Sequence, residues 1–219
     1  MEVLPRYDVV IIGAGLAGLS LARQILLISD KKILLLEKRQ QIPPVRQKVG
    51  ESTVQVGAYY YSKVLDLEEH LVREHLMKYN LRFYWKPFGR SNDCFEDYSQ
   101  AYIRHFSNIA CYQLDRNKLE GELLRLNCQN PNFAFHAPAI ELGVSISDRG
   151  PHLISFKADD RKVVVEADWV VDTSGRRKFL ARDMNLGRQN PIRHGASFLW
   201  VEGLVNIEKL TDLSPKRNA

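Results

Sequence analysis

The chain has 219 residues, 45% hydrophobic and 10% aromatic, enough for an ordinary globular core in one large domain or two small ones. Its 31 basic and 26 acidic residues leave a formal charge of +5, but the charges are interspersed, which argues against a nucleic-acid-binding protein while favouring anionic ligands. Three widely spaced cysteines, Cys94, Cys111 and Cys128, make neither a disulfide framework nor a zinc site and read as reduced thiols of a cytoplasmic protein. The first residues show no basic stretch followed by an apolar one, and no apolar run approaches the roughly 18 residues of a membrane span, so neither secretion nor membrane spanning is expected.

Tyr7 to Ile12 is a short β-branched run followed by glycine, and Leu16 to Ile28 is apolar at most positions, as in a helix buried against a sheet. A turn at Ser29-Asp30-Lys31-Lys32 leads into a second strand from Ile33 to Glu37. Strand, helix and strand within about 30 residues is the size of a βαβ unit. Residues 38–50 are charged, contain Pro43-Pro44 and read as a loop; Thr53 to His75 is predicted helical with a break near Leu65-Asp66-Leu67. Leu81 to Trp85 is a predicted strand, and Asp115 a predicted cap for a helix through Leu119, Leu123, Leu124 and Leu126, with Pro131 beyond its end.

Three alternating runs, Ile140 to Ile146, His152 to Lys157 and Lys162 to Ala167, are separated by turn residues and predict an antiparallel meander. Trp169 to Asp172 reads as a further buried strand ending at Thr173-Ser174-Gly175, Ala196 to Val205 as a last β-like run, and residues 214–219 as a loop. His70 and His75 are five apart and are not expected to share a helix face, so no metal site is predicted. The predicted fold class is therefore α/β, a Rossmann-like domain with a parallel sheet and an inserted antiparallel meander at about residues 139–167.

Gly13-Ala14-Gly15-Leu16-Ala17-Gly18 is a GxGxxG pattern between a predicted strand and a predicted helix, the context that gives it meaning. Gly13 suits a tight turn, Gly15 a close approach of pyrophosphate to the backbone, and Gly18 close packing of helix on strand. The helix start offers free N–H groups and positive dipole to phosphates. Glu37 lies about 20 residues beyond the last glycine, where a carboxylate accepts from ribose hydroxyls; it argues for an unphosphorylated 2′-OH, hence FAD or NAD.

The GAGLAG unit, Glu37-Lys38-Arg39, the segment Lys48-Val49-Gly50-Glu51-Ser52-Thr53, Lys78-Tyr79-Asn80-Leu81-Arg82-Phe83 and Val171-Asp172-Thr173-Ser174-Gly175-Arg176-Arg177 together resemble the flavin-dependent halogenases and their aromatic-hydroxylase-like relatives. The resemblance runs along almost the whole chain and implies FAD, held at its ADP end by Gly13, Ala14, Gly15, Ala17, Gly18, Glu37, Lys38 and Arg39. It further implies flavin-side contacts from Arg46, Lys48, Gly50, Glu51 and Ser52, and cofactor contacts from Gln113, Arg116, Asp172 and Gly175. Enzymes of this family use reduced FAD and oxygen to oxidise halide, and a lysine directs the oxidised halogen to an electron-rich carbon of a small-molecule substrate; a separate flavin reductase is the implied partner. Lys78 matches that lysine by position. Read alone, Glu51-Ser52-Thr53 serves equally as a helix start, Gln113 and Arg116 as cap and surface cation, Arg176-Arg177 as a solvated pair, and Lys78 as a strand-edge residue.

The chain departs from the family in lacking the later Gly-Asp motif and the WxWxIP segment: Trp85, Trp169 and Trp200 are too far apart for it. Residues 1–195 are therefore expected to form the FAD-binding domain and 196–219 the start of an incomplete substrate-binding region. A reductase or hydroxylase of the same superfamily, or a non-catalytic nucleotide-binding remnant, are the alternatives.

Overall fold

The computed structural model describes residues 4–43, 48–79, 81–102 and 110–211. The opening run forms strand β1 (Arg6–Ile12), helix α1 (Leu16–Ile28) and strand β2 (Ile33–Leu36), with β1 and β2 parallel. Every residue of β2 is buried. Val9, Ile11, Ile33 and Leu35 point into one core with Leu19, Ala22 and Leu26 of α1, whereas Val10, Leu34 and Leu36 enter a second core on the other face. Coverage on both faces is why these strands are continuously apolar instead of alternating.

Helix α2 (Gln55–Tyr59) runs into a π-helical turn over Tyr60–Val64, and α3 (Glu68–Glu74) follows the expected break, where Asp66 has a φ of 56°. Strands β3 (Leu76–Lys78), β4 (Arg82–Trp85), β5 (Ser99–Tyr102) and β6 (Cys111–Gln113) form two small antiparallel sheets, β3 with β6 and β4 with β5. Helix α4 (Arg116–Cys128) starts at Asp115, whose side chain accepts from the N–H groups of Asn117 and Lys118 as a capping residue should. Leu119 and Leu123 carry α4 into the first core, and buried Asn127 donates from Nδ2 to the Leu19 carbonyl of α1 at 3.0 Å.

Strands β7 (Phe133–His136), β8 (Ile140–Ser145), β9 (His152–Ala158) and β10 (Arg161–Asp172) complete a six-stranded sheet in the order β7-β2-β1-β10-β9-β8. The expected third meander strand and the following buried strand are one twelve-residue strand. Its first half pairs antiparallel with β9, and its second half runs parallel to β1 from Glu166 opposite Arg6 to Asp172 opposite Ile12. The meander is thus continuous with the parallel sheet, and it folds over that sheet's second face: His136 of β7 lies 5.5 Å from Phe156 of β9, although β2, β1 and β10 separate the two strands. Ile154, Phe156, Val165 and Ala167 supply this second core where a doubly wound fold would use helices.

Two sequence expectations are corrected. The run from Trp169 is not buried: Trp169 is 69% exposed, because no helix covers that part of the sheet among the described residues. Ala196 to Val205 is not a strand; residues 188–206 carry no helix or strand, having no neighbouring strand to pair with among the described residues. The short helix α5 (Phe179–Asp183) precedes this stretch. The loop expected at 214–219 lies outside the described residues.

His70 and His75, not expected on one helix face, meet nonetheless. His75 leaves α3 as an extended C-cap residue, and its ring stands 5.1 Å from that of His70, with both residues buried. Nδ1 of His75 accepts the Asp115 N–H at 3.0 Å, which puts the proton of the neutral ring on Nε2, facing His70 Nε2 at 3.3 Å. The pair therefore ties the end of α3 to the start of α4, assisted by an ion pair from Lys118 to Glu74.

Burial, with His70 as second cause, pushes the His75 imidazole down to about 4 from its ordinary 6.5. Below pH 6.5 the unfolded chain takes up a proton that the native ring refuses, so stability falls as pH drops from 6.5 to 4, by at most about 3 kcal/mol. His75→Asn keeps an acceptor for the Asp115 N–H and removes the titration. In urea denaturation the variant is expected to lose less stability than the wild type across this window; equal losses would place the acid sensitivity elsewhere.

Candidate functional site

Strands β1, β2 and β10 all end at one edge of the sheet, and the chain leaves β1 toward β2 on one side and returns to it through β10 on the other. Such a switch point opens a crevice at the carboxyl ends of the strands. Here it holds a cavity of about 1230 Å³ lined by the GxGxxG turn, Glu37 to Arg39, the Lys48 segment, the start of α4, the start of β8 and the Thr173-Ser174-Gly175 turn.

The three glycines of the motif have separable tasks. At Gly13, where φ is 110°, a Cβ would sit 2.7 Å from the Thr173 carbonyl oxygen; at Gly18 it would overlap the Gly13 carbonyl oxygen and approach Thr173 Oγ1 at 2.6 Å. Thr173 Oγ1 is within hydrogen-bonding distance of the carbonyls of Ile12 at 2.9 Å and Gly13 at 2.8 Å. These contacts seal the turn to the end of β10. Gly15 differs: nothing lies within 4 Å of a Cβ built there, and the residue lines the cavity. It begins α1 without a side-chain cap and with no acidic residue in the first turn, so the helix start directs unclaimed N–H groups toward an acceptor.

Glu37 is buried, and its carboxylate accepts from the N–H groups of Ala14 and Arg39, each at 3.0 Å. A carboxylate has about four acceptor sites, so capacity remains for hydroxyl donors in the cavity. Opposite the glycines, buried Lys48 and Glu120 form an ion pair at 2.5 Å, and Arg116 Nη2 donates to the other Glu120 oxygen. Arg116 Nε is buried without a hydrogen-bond partner. Six cationic side chains, Lys38, Arg39, Lys48, Arg116, Arg176 and Arg177, face three acidic ones, Glu37, Glu120 and Glu141, so the lining favours an anion. A ligand with a diphosphate beside a ribose fits three features of this cavity: the open space over Gly15, the uncapped helix and the remaining acceptor capacity of Glu37.

Of the residues expected to bind a cofactor, Gly13, Ala14, Gly15, Glu37, Lys38, Arg39, Lys48, Arg116 and Gly175 line the cavity. Gly18 is buried beneath the turn, and Ala17 is exposed on the first turn of α1, outside the lining. Asp172 does not line it either; its carboxylate accepts from the N–H groups of Ser174 and Leu180, each at 2.9 Å, and so shapes the turn that presents Gly175. Arg46 lies outside the described residues.

Glu51, Ser52, Gln113 and Lys78 gather beside the cavity. Ser52 bridges Gln113, and Lys78 Nζ donates to Ser52 Oγ at 2.9 Å and to the Thr53 carbonyl. The VGEST and KYNLRF segments, 25 residues apart between Thr53 and Lys78, thus converge. Buried Glu51 accepts from the Arg116 N–H at 3.4 Å and from the Trp200 indole at 2.8 Å, joining this cluster to the cavity wall and to the segment after α5; Gly50 precedes it with a φ of 87°. The lining also includes Glu120, Ile140, Glu141, Leu142, Ala196 and Phe198, which sequence reasoning missed. Glu120 stood in view as the residue four beyond Arg116 on a predicted helix; no local pattern marks the others.

No family model matches the chain. The chain is 30% identical over 194 residues to the flavin-dependent halogenase chlA of Dictyostelium discoideum, covering 80% of this chain and 32% of that protein. In fold it is similar to the myxobacterial chondrochloren halogenase CndH, at a TM-score of 0.63 and 21% identity over 79% of this chain and 38% of that one. The p-nitrophenol 4-monooxygenase PnpA of Pseudomonas putida gives a TM-score of 0.65 at 14% identity, over 83% of this chain and 44% of that one. The chain thus spans about a third of the length of the curated relative.

The glycine geometry separates folding from binding. Gly18→Ala is expected to cost about 1–3 kcal/mol through overpacking, read as a fall in Tm. Gly15→Ala, which meets open space, should cost less than about 1 kcal/mol. Equal losses of Tm for the two would contradict these roles.

Proposed function

We propose that this chain, similar in sequence and fold to the N-terminal part of the flavin-dependent halogenases, is the FAD-binding part of an oxidoreductase acting on an electron-rich small molecule. The observation that carries this reading is the cavity at the ends of β1, β2 and β10, where an uncapped helix start at Gly15 shares the lining with buried Glu37 and with Arg116. Residues 1–195 are read as the FAD-binding domain and the region from 196 as the start of the substrate-binding part, in keeping with Ala196 and Phe198 on the cavity wall. No helix among the described residues is long and apolar enough to cross a membrane.

FAD, when bound and reduced, supplies the electrons that activate oxygen. The residues of this chain bind and orient it. The α1 N–H groups and Arg116 meet the diphosphate, Glu37 accepts from the ribose hydroxyls, and the open space at Gly15 and Gly175 leaves room for close approach. Ala139 to Leu142 form the cavity wall on the side of Glu37, where the Ala139 N–H donates to the Glu37 carbonyl. A separate flavin reductase is the proposed source of reduced cofactor.

Lys78 is the residue proposed to direct an oxidised halogen. Its ammonium is held in place by Ser52 Oγ and the Thr53 carbonyl rather than extended into solvent, which supports a positioned role over that of a strand-edge cation. A hydroxylase or reductase without halide chemistry is the second reading. It rests on the similar fold match to the p-nitrophenol monooxygenase, and Lys78 then has only the structural task of joining β3 to the Ser52 segment.

An absorbance titration of the chain with FAD, wild type against Gly15→Glu, tests the binding claim. The glutamate would carry its charge into the space over the helix start, so affinity is expected to fall at least tenfold, about 1.4 kcal/mol. Equal binding by the two proteins would remove the dinucleotide reading. Lys78→Met is expected to leave FAD affinity within about twofold, or 0.4 kcal/mol, because Lys78 lies outside the cavity lining; a larger loss would make it a cofactor ligand.

A further inference from the structure

Glu120 has no task in the reading above, yet it is the most buried charged residue on the cavity wall, with 2% of its surface exposed. One carboxylate oxygen accepts from Lys48 Nζ at 2.5 Å and the other from Arg116 Nη2. Arg116 is restrained at a second point, where Nη1 donates to the Val49 carbonyl at 2.5 Å. Each Nη keeps a second N–H beyond these bonds, while Nε is buried without a partner. The side chains of Lys48, Glu120 and Arg116 are 7%, 3% and 18% exposed, so water does little to loosen the arrangement.

Resting on the FAD reading of the cavity, we propose that Glu120 is a positioning residue that fixes the Arg116 guanidinium on the cavity wall so that its remaining Nη–H donors meet the cofactor's diphosphate. A guanidinium turned by one carboxylate offers a donor in a defined direction, and it is already ordered before the ligand arrives. The pairing also divides the labour between the two cations: Lys48 neutralises Glu120, so the carboxylate holds Arg116 without repelling the incoming phosphates. Glu120 touches no ligand in this scheme and acts through Arg116 alone.

The test is a double-mutant cycle on FAD affinity, with Glu120→Gln and Arg116→Met made singly and together and Kd read by quenching of flavin fluorescence. Because Glu120→Gln leaves Lys48 buried without its partner, the same cycle is run in a Lys48→Met background, where no unpaired ammonium remains. Each single variant is expected to weaken FAD binding about tenfold and the double variant no more than Arg116→Met alone. Tm, measured alongside, separates this from a loss of fold. Additive losses would show that Glu120 acts independently of Arg116 and would overturn the proposal, as would failure of Glu120→Gln to fold in both backgrounds. Absence of FAD binding by the wild type would instead fail the cofactor reading itself.

Discussion

The contact of the Gly13 turn with Thr173 is the constraint on which the site depends. A helix can begin immediately after β1 only if its first turn passes within van der Waals distance of the next parallel strand, and neither Gly13 nor Gly18 has room for a Cβ at that crossing. Thr173 closes the seam from the other side through its hydroxyl. With the seam closed, the unsatisfied N–H groups of α1 point out of the sheet edge into open space instead of into protein. The chemistry of the cavity follows from that placement: a dipole of one sign, flanked by cations and by the buried carboxylates of Glu37 and Glu120.

The rest of the fold serves to hold the two strands at the seam. β1 is buried on both faces, by α1 and α4 on one side and by the curled meander on the other. The long β10 does both jobs at once, pairing with β9 where the meander folds over and with β1 where the cavity opens. A strand shared in this way transmits the position of the meander directly to Thr173 and Gly175. The meander in turn delivers Ile140, Glu141 and Leu142 to the cavity wall beside Glu37.

Much of this was legible in sequence because it is local. GxGxxG, Glu37, the Asp115 cap and the alternating runs each signal within a few residues, through turn chemistry, capping or side-chain periodicity. What escaped is what depends on distant partners. The turn-shaping role of Asp172 needs the N–H of Leu180; the burial of Glu51 and its bond to the Trp200 indole join residues 149 apart. The meeting of His70 and His75 depends on the chain leaving the helix at the second histidine, which spacing on an ideal helix does not describe. Ala196 to Val205 misled for the converse reason: a β-branched, apolar composition expresses what a segment can pair with, and this one has no strand beside it among the described residues.

The central claim is that the cavity recognises the adenosine diphosphate end of FAD through the α1 start, Glu37 and Arg116. Competition for bound FAD measures this most directly, with ADP and FMN each added in excess and the release of flavin followed by fluorescence. ADP is predicted to displace FAD and FMN to leave it in place; displacement by FMN with none by ADP would contradict the assignment.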